Sequence, residues 1–290
     1  RADHELLRAL PDGLQKALST IGPNGLLSID GSLDIYSTNV EQEEPRKRRC
    51  AASWNCHLDV EQGCFGVGVA LNNVHGGLNL RGSTDGQRWS ANGEVDLDSA
   101  IWQGVQLTQI RGPILMDQSG VRFGAMTVSD GMTPRRLSAK VAGGKLEVDG
   151  MSSSSGLGGF TVAASLVDAD LERIACDTRG TPHRFKGRVF GSVEISGTRA
   201  GTHSLRGHGQ LRLRDADVYE LPLVVAMLKM LRVKAPDRSA FGSSFTQFRI
   251  AGPHAYLDEI ELAGDAISLV GNGEVGFDGD VQMTFRSIMG

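Results

Sequence analysis

The chain has no apolar run long enough to span a membrane. Its longest such run, residues 221–228, has eight residues and includes a proline, whereas a membrane-spanning helix needs about 20. Proline is scarce, at 9 of 290 residues, which excludes collagen-like repeats and proline-rich linkers. Basic residues do not outnumber acidic ones, and the formal net charge is −4. The sequence therefore lacks the positive charge typical of a general nucleic-acid-binding protein.

Aromatic residues are also few, at 6% of the chain, with three Trp and three Tyr. Enzymes that act on glycans line their grooves with such rings. No G-x-S-x-G nucleophile elbow occurs, and the Gly-x-Gly segments at 207–209 and 271–273 precede strand patterns rather than helices. We therefore expect no catalytic residues, no cofactor and no enzymatic activity, with a glycan-active β enzyme as the disfavoured alternative.

The chain has four cysteines, and three of them lie within fifteen residues. Structural zinc sites usually use pairs of the CxxC type, which hold two thiolates on one tight turn. The spacings between Cys50, Cys56 and Cys64 do not fit such pairs, and Cys176 is far away in sequence. We expect no metal site. Ordinary packed thiols and one disulfide within the cluster remain open, and the first is favoured.

Glycine is abundant, at 38 residues, and apolar residues alternate with polar ones along most of the chain. A period of two is the mark of β-strands with one buried face. Glycine inside or at the start of a strand marks a bulge, a bend or a close backbone approach. One pattern recurs, a glycine followed by polar and apolar residues in alternation, at 93–98, 144–149, 191–196, 209–214 and 273–278.

Turn signals fall between these runs, so the strands are expected to follow one another as hairpins. The clearest signals are Asp85-Gly86, Asp130-Gly131, Asp149-Gly150 and Asp278-Gly279. The patterns predict a mainly β chain of about eighteen strands. We expect a long, highly curved antiparallel sheet of consecutive hairpins that forms an open groove, with a few short helices.

Three helical pieces are expected to interrupt the strands. Residues 3–20 carry leucines at helical spacing, and Asp168 is placed to cap a short helix over 169–176. Residues 221–233 are apolar on nearly all sides, so in water this helix must be covered. We predict that it packs against the apolar face of the C-terminal half of the sheet. Its groove-facing side chains would be Leu221, Leu223, Val224, Met227, Leu228 and Leu231.

The stretch 151–159 is rich in Ser and Gly and is the best candidate for a linker. It divides the chain into two halves that have a similar composition and the same alternating pattern. Residues 1–150 would form the N-terminal part of the curved sheet, starting with a helical segment. Residues 151–290 would form a C-terminal β region that contains the helix at about 221–233.

The last third of the sequence has a recognisable order of segments. A glycine-led strand pattern at 207–216 leads through Leu221-Pro222 into the apolar helix. A Phe-rich strand pattern at 245–250 follows, then an amphipathic pattern at 257–262 and a closing pattern with Gly-x-Gly at 267–275. This order resembles the C-terminal region of the AsmA-like family of TamB-related envelope proteins.

The specific match covers about residues 186–285, and residues 20–185 share only the repeated-hairpin texture. One departure is Ile250-Ala251-Gly252-Pro253, where the family more often has a plain Asp-Gly turn. The resemblance implies a highly curved β-sheet with an open groove. It also implies a location in the periplasm, within the envelope of a diderm bacterium. An anchor in the inner membrane would lie outside this sequence, and the role would be phospholipid movement to the outer membrane.

The partners expected on this basis are a phospholipid or other acyl lipid, the inner membrane through that anchor, and, as further candidates, outer-membrane proteins. No nucleic acid is expected. A structural or adhesive β-solenoid spacer without a ligand is the alternative, because it has the same periodicity but fills its apolar face with its own side chains. The candidate lipid-contacting residues are Leu27, Ile29, Val67, Val69, Leu78, Leu80, Val95, Leu97, Leu146, Val148, Val193, Ile195, Leu211, Leu213, Ile267, Leu269, Val275, Phe277, Met283 and Phe285.

Overall fold

The computed structural model shows a mainly β chain, which confirms the predicted fold class. Fifteen strands and one α-helix are present in the part of the chain that it describes, against about eighteen strands expected from the alternation. The described residues are 24–39, 48–66, 70–127, 134–179, 186–216, 242–264 and 267–289.

The strands are numbered in chain order, and the helix is α1. The first nine strands are β1 (Asn24–Asn39), β2 (Arg48–Gly66), β3 (Ala70–Thr84), β4 (Trp89–Trp102), β5 (Val105–Asp117), β6 (Gly120–Phe123), β7 (Leu137–Val141), β8 (Gly144–Ser153) and β9 (Phe160–Asp170). They are followed by α1 (Leu171–Arg179), β10 (Arg188–Gly197), β11 (Arg206–Arg214), β12 (Ser243–Ala251), β13 (His254–Ala263), β14 (Ile267–Gly276) and β15 (Val281–Met289).

All fifteen strands belong to one sheet in which nearly every strand pairs with the next strand along the chain. The exception is β7, which pairs with β5 and β8 beside the main path. The strand pairs whose registers are defined, from β1 with β2 to β14 with β15, are antiparallel. This is the arrangement of consecutive hairpins that the turn signals predict.

Two of the predicted Asp-Gly turns are present, and one is wrong. Asp85 closes the β3–β4 turn, because its Oδ1 accepts hydrogen bonds from the backbone N–H groups of Arg88 at 2.6 Å and Gln87 at 2.8 Å. These bonds lower the pKa of the Asp85 carboxyl. Asp278-Gly279 likewise lies in the turn before β15. Asp149-Gly150 instead lies inside β8, and residues 130–131 fall outside the described residues.

The carboxylate of Asp149 explains why this pair forms no turn. Asp149 is the one buried polar or charged residue among those that the structure describes, and its Oδ1 accepts a hydrogen bond from the backbone N–H of Ala125 at 2.6 Å. Its Oδ2 lies 3.3 Å from Nε of Arg136. The side chain is therefore used to hold the 3₁₀ turn Gly124–Thr127 against β8 rather than to close a turn of its own.

Two tight turns were not signalled by Asp or Asn. Gln103 and Gly104 connect β4 to β5, and Ala142 and Gly143 connect β7 to β8. In both pairs the two central residues have positive φ, between 47° and 84°. This is the type I′ geometry that matches the right-handed twist of hairpin strands. Glycine at the second position is the only sequence signal that these turns carry.

The contacts divide the chain into two compact units. The first comprises residues 1–140 and 148–160, and the second comprises 141–147 and 161–290. The stretch considered as a linker contains the turn from β8 to β9, which the N–H of Ser153 closes by donating to the carbonyl of Gly159 at 2.7 Å.

Helix α1 begins two residues later than the predicted one. Oδ1 of Asp170 accepts a hydrogen bond from the backbone N–H of Arg173 at 3.1 Å, so Asp170 is the N-terminal cap. Asp168, the predicted cap, instead has a φ of 58° within β9 and lies near Arg188. The predicted helices at 3–20 and 221–233 lie outside the described residues.

Candidate functional site: the apolar faces of the sheet

The second unit has one sheet face made of apolar side chains and small residues. Residues paired across antiparallel strands point to the same face, so the register defines this face directly. Between β10 and β15 it contains no charged residue among the paired positions. We call it the second apolar face, and its large members are Val189, Val193, Ile195, Leu211, Leu213, Phe248, Ile250, Leu257, Ile260, Leu262, Leu269, Val275, Val281, Met283 and Phe285.

One end of the second apolar face is buried beneath helix α1. Leu171 and Ile174 of α1 pack against a cluster that includes Val189, Leu213 and Leu269. Away from this cluster the face keeps contact with solvent: Leu211 is 40% exposed, and Val281 is 49% exposed. The described side chains therefore cover only part of this apolar surface.

Glycines in this face leave room for large side chains on the neighbouring strands. A Cβ atom added to Gly209 would come within 2.5 Å of Cζ of Phe248, its partner on the next strand. A Cβ on Gly271 would come equally close to Cδ1 of Phe285. The rings thus lie directly against bare backbone. This arrangement gives Gly209, a glycine of the recurrent sequence pattern, a specific packing role, which the sequence predicted only as close backbone approach.

The first unit has an equivalent face, which we call the first apolar face. Its centre is buried: Trp54, Leu80 and Met116 are each less than 8% exposed. Its edge on β1 is open, with Ile35 64% exposed. Its large members are Leu27, Ile29, Leu33, Ile35, Trp54, Leu58, Val60, Leu78, Leu80, Trp89, Val95, Leu97, Ile110, Ile114, Met116, Val121 and Phe123.

The remaining candidate residues are placed as follows. Leu146 and Val148 alternate with polar residues in β8 and are partly exposed. Phe277 lies in the turn between β14 and β15 and is half exposed, so it does not continue the line of apolar side chains along a strand. Ile267 belongs to β14, but its side chain is outside the described set. The same holds for Val67, Val69 and the predicted helix at 221–233.

The opposite faces of both units are polar. In the first unit, Nδ1 of His57 lies 2.7 Å from Oδ1 of Asn79, and Nε2 lies 3.1 Å from Asp59. The hydrogen bond with Asn79 and, after it, the carboxylate of Asp59 raise the pKa of His57. In the second unit, Arg249 donates two hydrogen bonds to Asp258, at 2.6 and 2.7 Å, which lower the pKa of that carboxyl. These pairs are exposed, as expected for a solvated sheet face.

The described residues assemble no metal centre. Cys56, Cys64 and Cys176 are free thiols, and burial raises the pKa of Cys56. The side chain of Cys50 is not described. Within the described ranges, no three side chains of His, Cys, Asp or Glu come close enough to hold an ion. Nor does that part of the chain contain a helix with the length and apolar character needed to cross a bilayer.

Comparison with protein-family models, curated proteins and solved structures finds no match for this chain. The function therefore has to be inferred from the two apolar faces and from the polar surfaces opposite them.

Proposed function

We propose that the apolar faces bind the acyl chains of a lipid, with phospholipid as the first candidate. In this proposal the chain is a lipid-binding, non-catalytic segment of a larger envelope protein in the periplasm of a diderm bacterium, anchored to the inner membrane by a part outside this sequence. The observation that carries the proposal is the partly exposed second apolar face. The resemblance of residues 186–285 to AsmA-like proteins supports the location and the class of ligand.

The dimensions and chemistry of the second apolar face suit an acyl chain. Six strands, spaced about 4.8 Å apart, give a row about 24 Å long. Burial of methylene groups is favourable by about 0.8 kcal/mol each, so roughly ten of them supply up to about 8 kcal/mol before the cost of association. Because the paired positions of this face contain no charged side chain, a polar headgroup would remain at the edge of the face.

The exposed side chains on β11 allow a clean test. Leu211 lies on the apolar face and is already 40% exposed, so Leu211→Asp should leave the sheet folded. Gln210→Asp places the same charge one residue away on the opposite, polar face. Each variant is purified and its bound lipid is measured by native mass spectrometry and by crosslinking with a photoreactive fatty-acid analogue.

Wild type and Gln210→Asp should carry lipid, and Leu211→Asp should carry much less, with unchanged circular dichroism in all three. Two results would count against the proposal: no lipid on the wild-type chain, or equal loss in both variants.

The alternative, a structural spacer, is favoured by the tightly packed centre of the first apolar face, where Trp54, Leu80 and Met116 belong to one buried cluster. A spacer would bind no lipid in any of the three proteins.

A further inference from the structure

Two arginines on the polar side of β11 stack on aromatic rings. Arg212 and Arg214 alternate with Leu211 and Leu213, so they point away from the second apolar face. The guanidinium carbon of Arg212 lies 5.4 Å from the ring centroid of Phe245 on β12. That of Arg214 lies 5.1 Å from the ring centroid of Phe190 on β10. Both distances are within the range of a cation–π interaction.

These two guanidinium groups have no carboxylate partner among the described residues, although the chain as a whole is acidic. Arg249 on the neighbouring strand, by contrast, is fully engaged with Asp258. The residue directly opposite Arg214 is Arg188, whose Nε lies 3.7 Å from Oδ1 of Asp168. Asp168 offsets the charge of Arg188. The positive charge left here without a carboxylate partner among the described residues is therefore that of Arg212 and Arg214.

We propose that this stacked-arginine surface, formed by Arg212 and Arg214, docks on the phosphate groups of an anionic lipid bilayer. Arginine binds phosphate oxygens through two parallel N–H donors. The rings hold the guanidinium groups in place, so less side-chain freedom is lost when they bind.

The geometry favours a surface with many anions over one bound ion. Arg212 leans over a ring on β12 and Arg214 over a ring on β10, so the two groups diverge across the sheet. They therefore reach separate phosphates. Nucleic acid is the weaker candidate, because the net charge of the chain is −4 and both rings are already covered by guanidinium groups, which leaves those ring faces closed to base stacking.

The docking is independent of acyl-chain binding, because the two sets of side chains occupy opposite faces of β11. It is tested by sedimentation of the whole chain with phosphatidylglycerol vesicles and with neutral phosphatidylcholine vesicles, at low and high ionic strength. The test variant is Arg212→Gln with Arg214→Gln. The control, Arg173→Gln with Arg199→Gln, removes the same charge from two other exposed positions of the second unit.

Each basic residue near an anionic surface is worth about 1 kcal/mol, so the test variant should partition about thirtyfold less onto phosphatidylglycerol vesicles. The control should change little, and Leu211→Asp should keep vesicle binding even if it loses bound lipid. Circular dichroism confirms that each variant is folded. Equal binding to neutral vesicles, or equal losses in test and control variants, would overturn the proposal. So would displacement from vesicles by single-stranded oligonucleotide or by inorganic phosphate at matched ionic strength, because the surface would then belong to those ligands.

Discussion

Replacement of Gly82 by alanine tests whether glycines leave the room that the large side chains of the apolar faces occupy. A Cβ atom at this position would collide with Cζ2 and Cε2 of Trp54 and would lie 2.6 Å from the carbonyl oxygen of Ser90. Trp54 is only 7% exposed and belongs to the buried cluster of the first unit. The indole ring therefore cannot move aside without disturbing its neighbours.

Overpacking of this kind costs about 1–3 kcal/mol. With a urea dependence of about 1–3 kcal/mol per M, the midpoint of unfolding should fall by about 1 M. Ser83→Ala is the matched control, because Ser83 is the next residue on the same strand and is exposed on the opposite face. It should change stability by no more than about 0.5 kcal/mol.

The assay is urea unfolding followed by tryptophan fluorescence. All three tryptophans of the chain, Trp54, Trp89 and Trp102, lie in the first unit, so the signal reports on that unit. Gly82→Ala should also shift the folded-state emission, because Trp54 is displaced. In a Trp54→Leu background the same substitution should cost about 1 kcal/mol less, since the ring is gone. If Gly82→Ala had the same urea midpoint of unfolding as Ser83→Ala and an unchanged emission, the close packing of Trp54 against Gly82 would be refuted.

Two further predictions concern polar groups of the first unit. Asp149→Ala leaves the N–H of Ala125 without its acceptor and should lower the free energy of unfolding by about 1.5–3 kcal/mol. Asp149→Asn keeps an acceptor and should lower it less. Urea unfolding measures both variants, and equal costs would contradict the assigned hydrogen bond. The pKa of His57 is raised in the folded state, chiefly by Asn79, so its protonated ring stabilises the fold below the ordinary histidine pKa and this contribution is lost as the pH rises through the raised pKa. His57→Gln should therefore weaken the decline of stability between about pH 5 and pH 8, and an unchanged decline would contradict it.

Alternation within single strands made much of the fold predictable from the sequence. A period of two depends only on residues of one strand, so it predicted that Leu211 and Leu213 share a face and that Arg212 and Arg214 share the other. It could not predict that Arg214 stacks on Phe190. That contact depends on the register between strands, which turn lengths and bulges determine, and no single strand encodes it.

The wrong predictions have a common cause. Asp149-Gly150 has the local preference of a turn, and Asp168 precedes a helical pattern in the position of a cap. In the structure Asp149 bonds to Ala125, which lies 24 residues away in sequence. Asp168 lies 3.7 Å from Nε of Arg188, and the cap is Asp170. Local signals describe what a residue can do nearby, and a partner brought in by the fold can use the same side chain differently.

The neighbour-to-neighbour strand order has a consequence for how the chain acquires its structure. From β12 to β15 each strand pairs with the one made just before it, and the connections are short. Closing a short loop costs little entropy, so each hairpin can form without waiting for a distant part of the chain. Assembly can therefore proceed from strand to strand in chain order. Each new strand meets an edge that its predecessor has just completed.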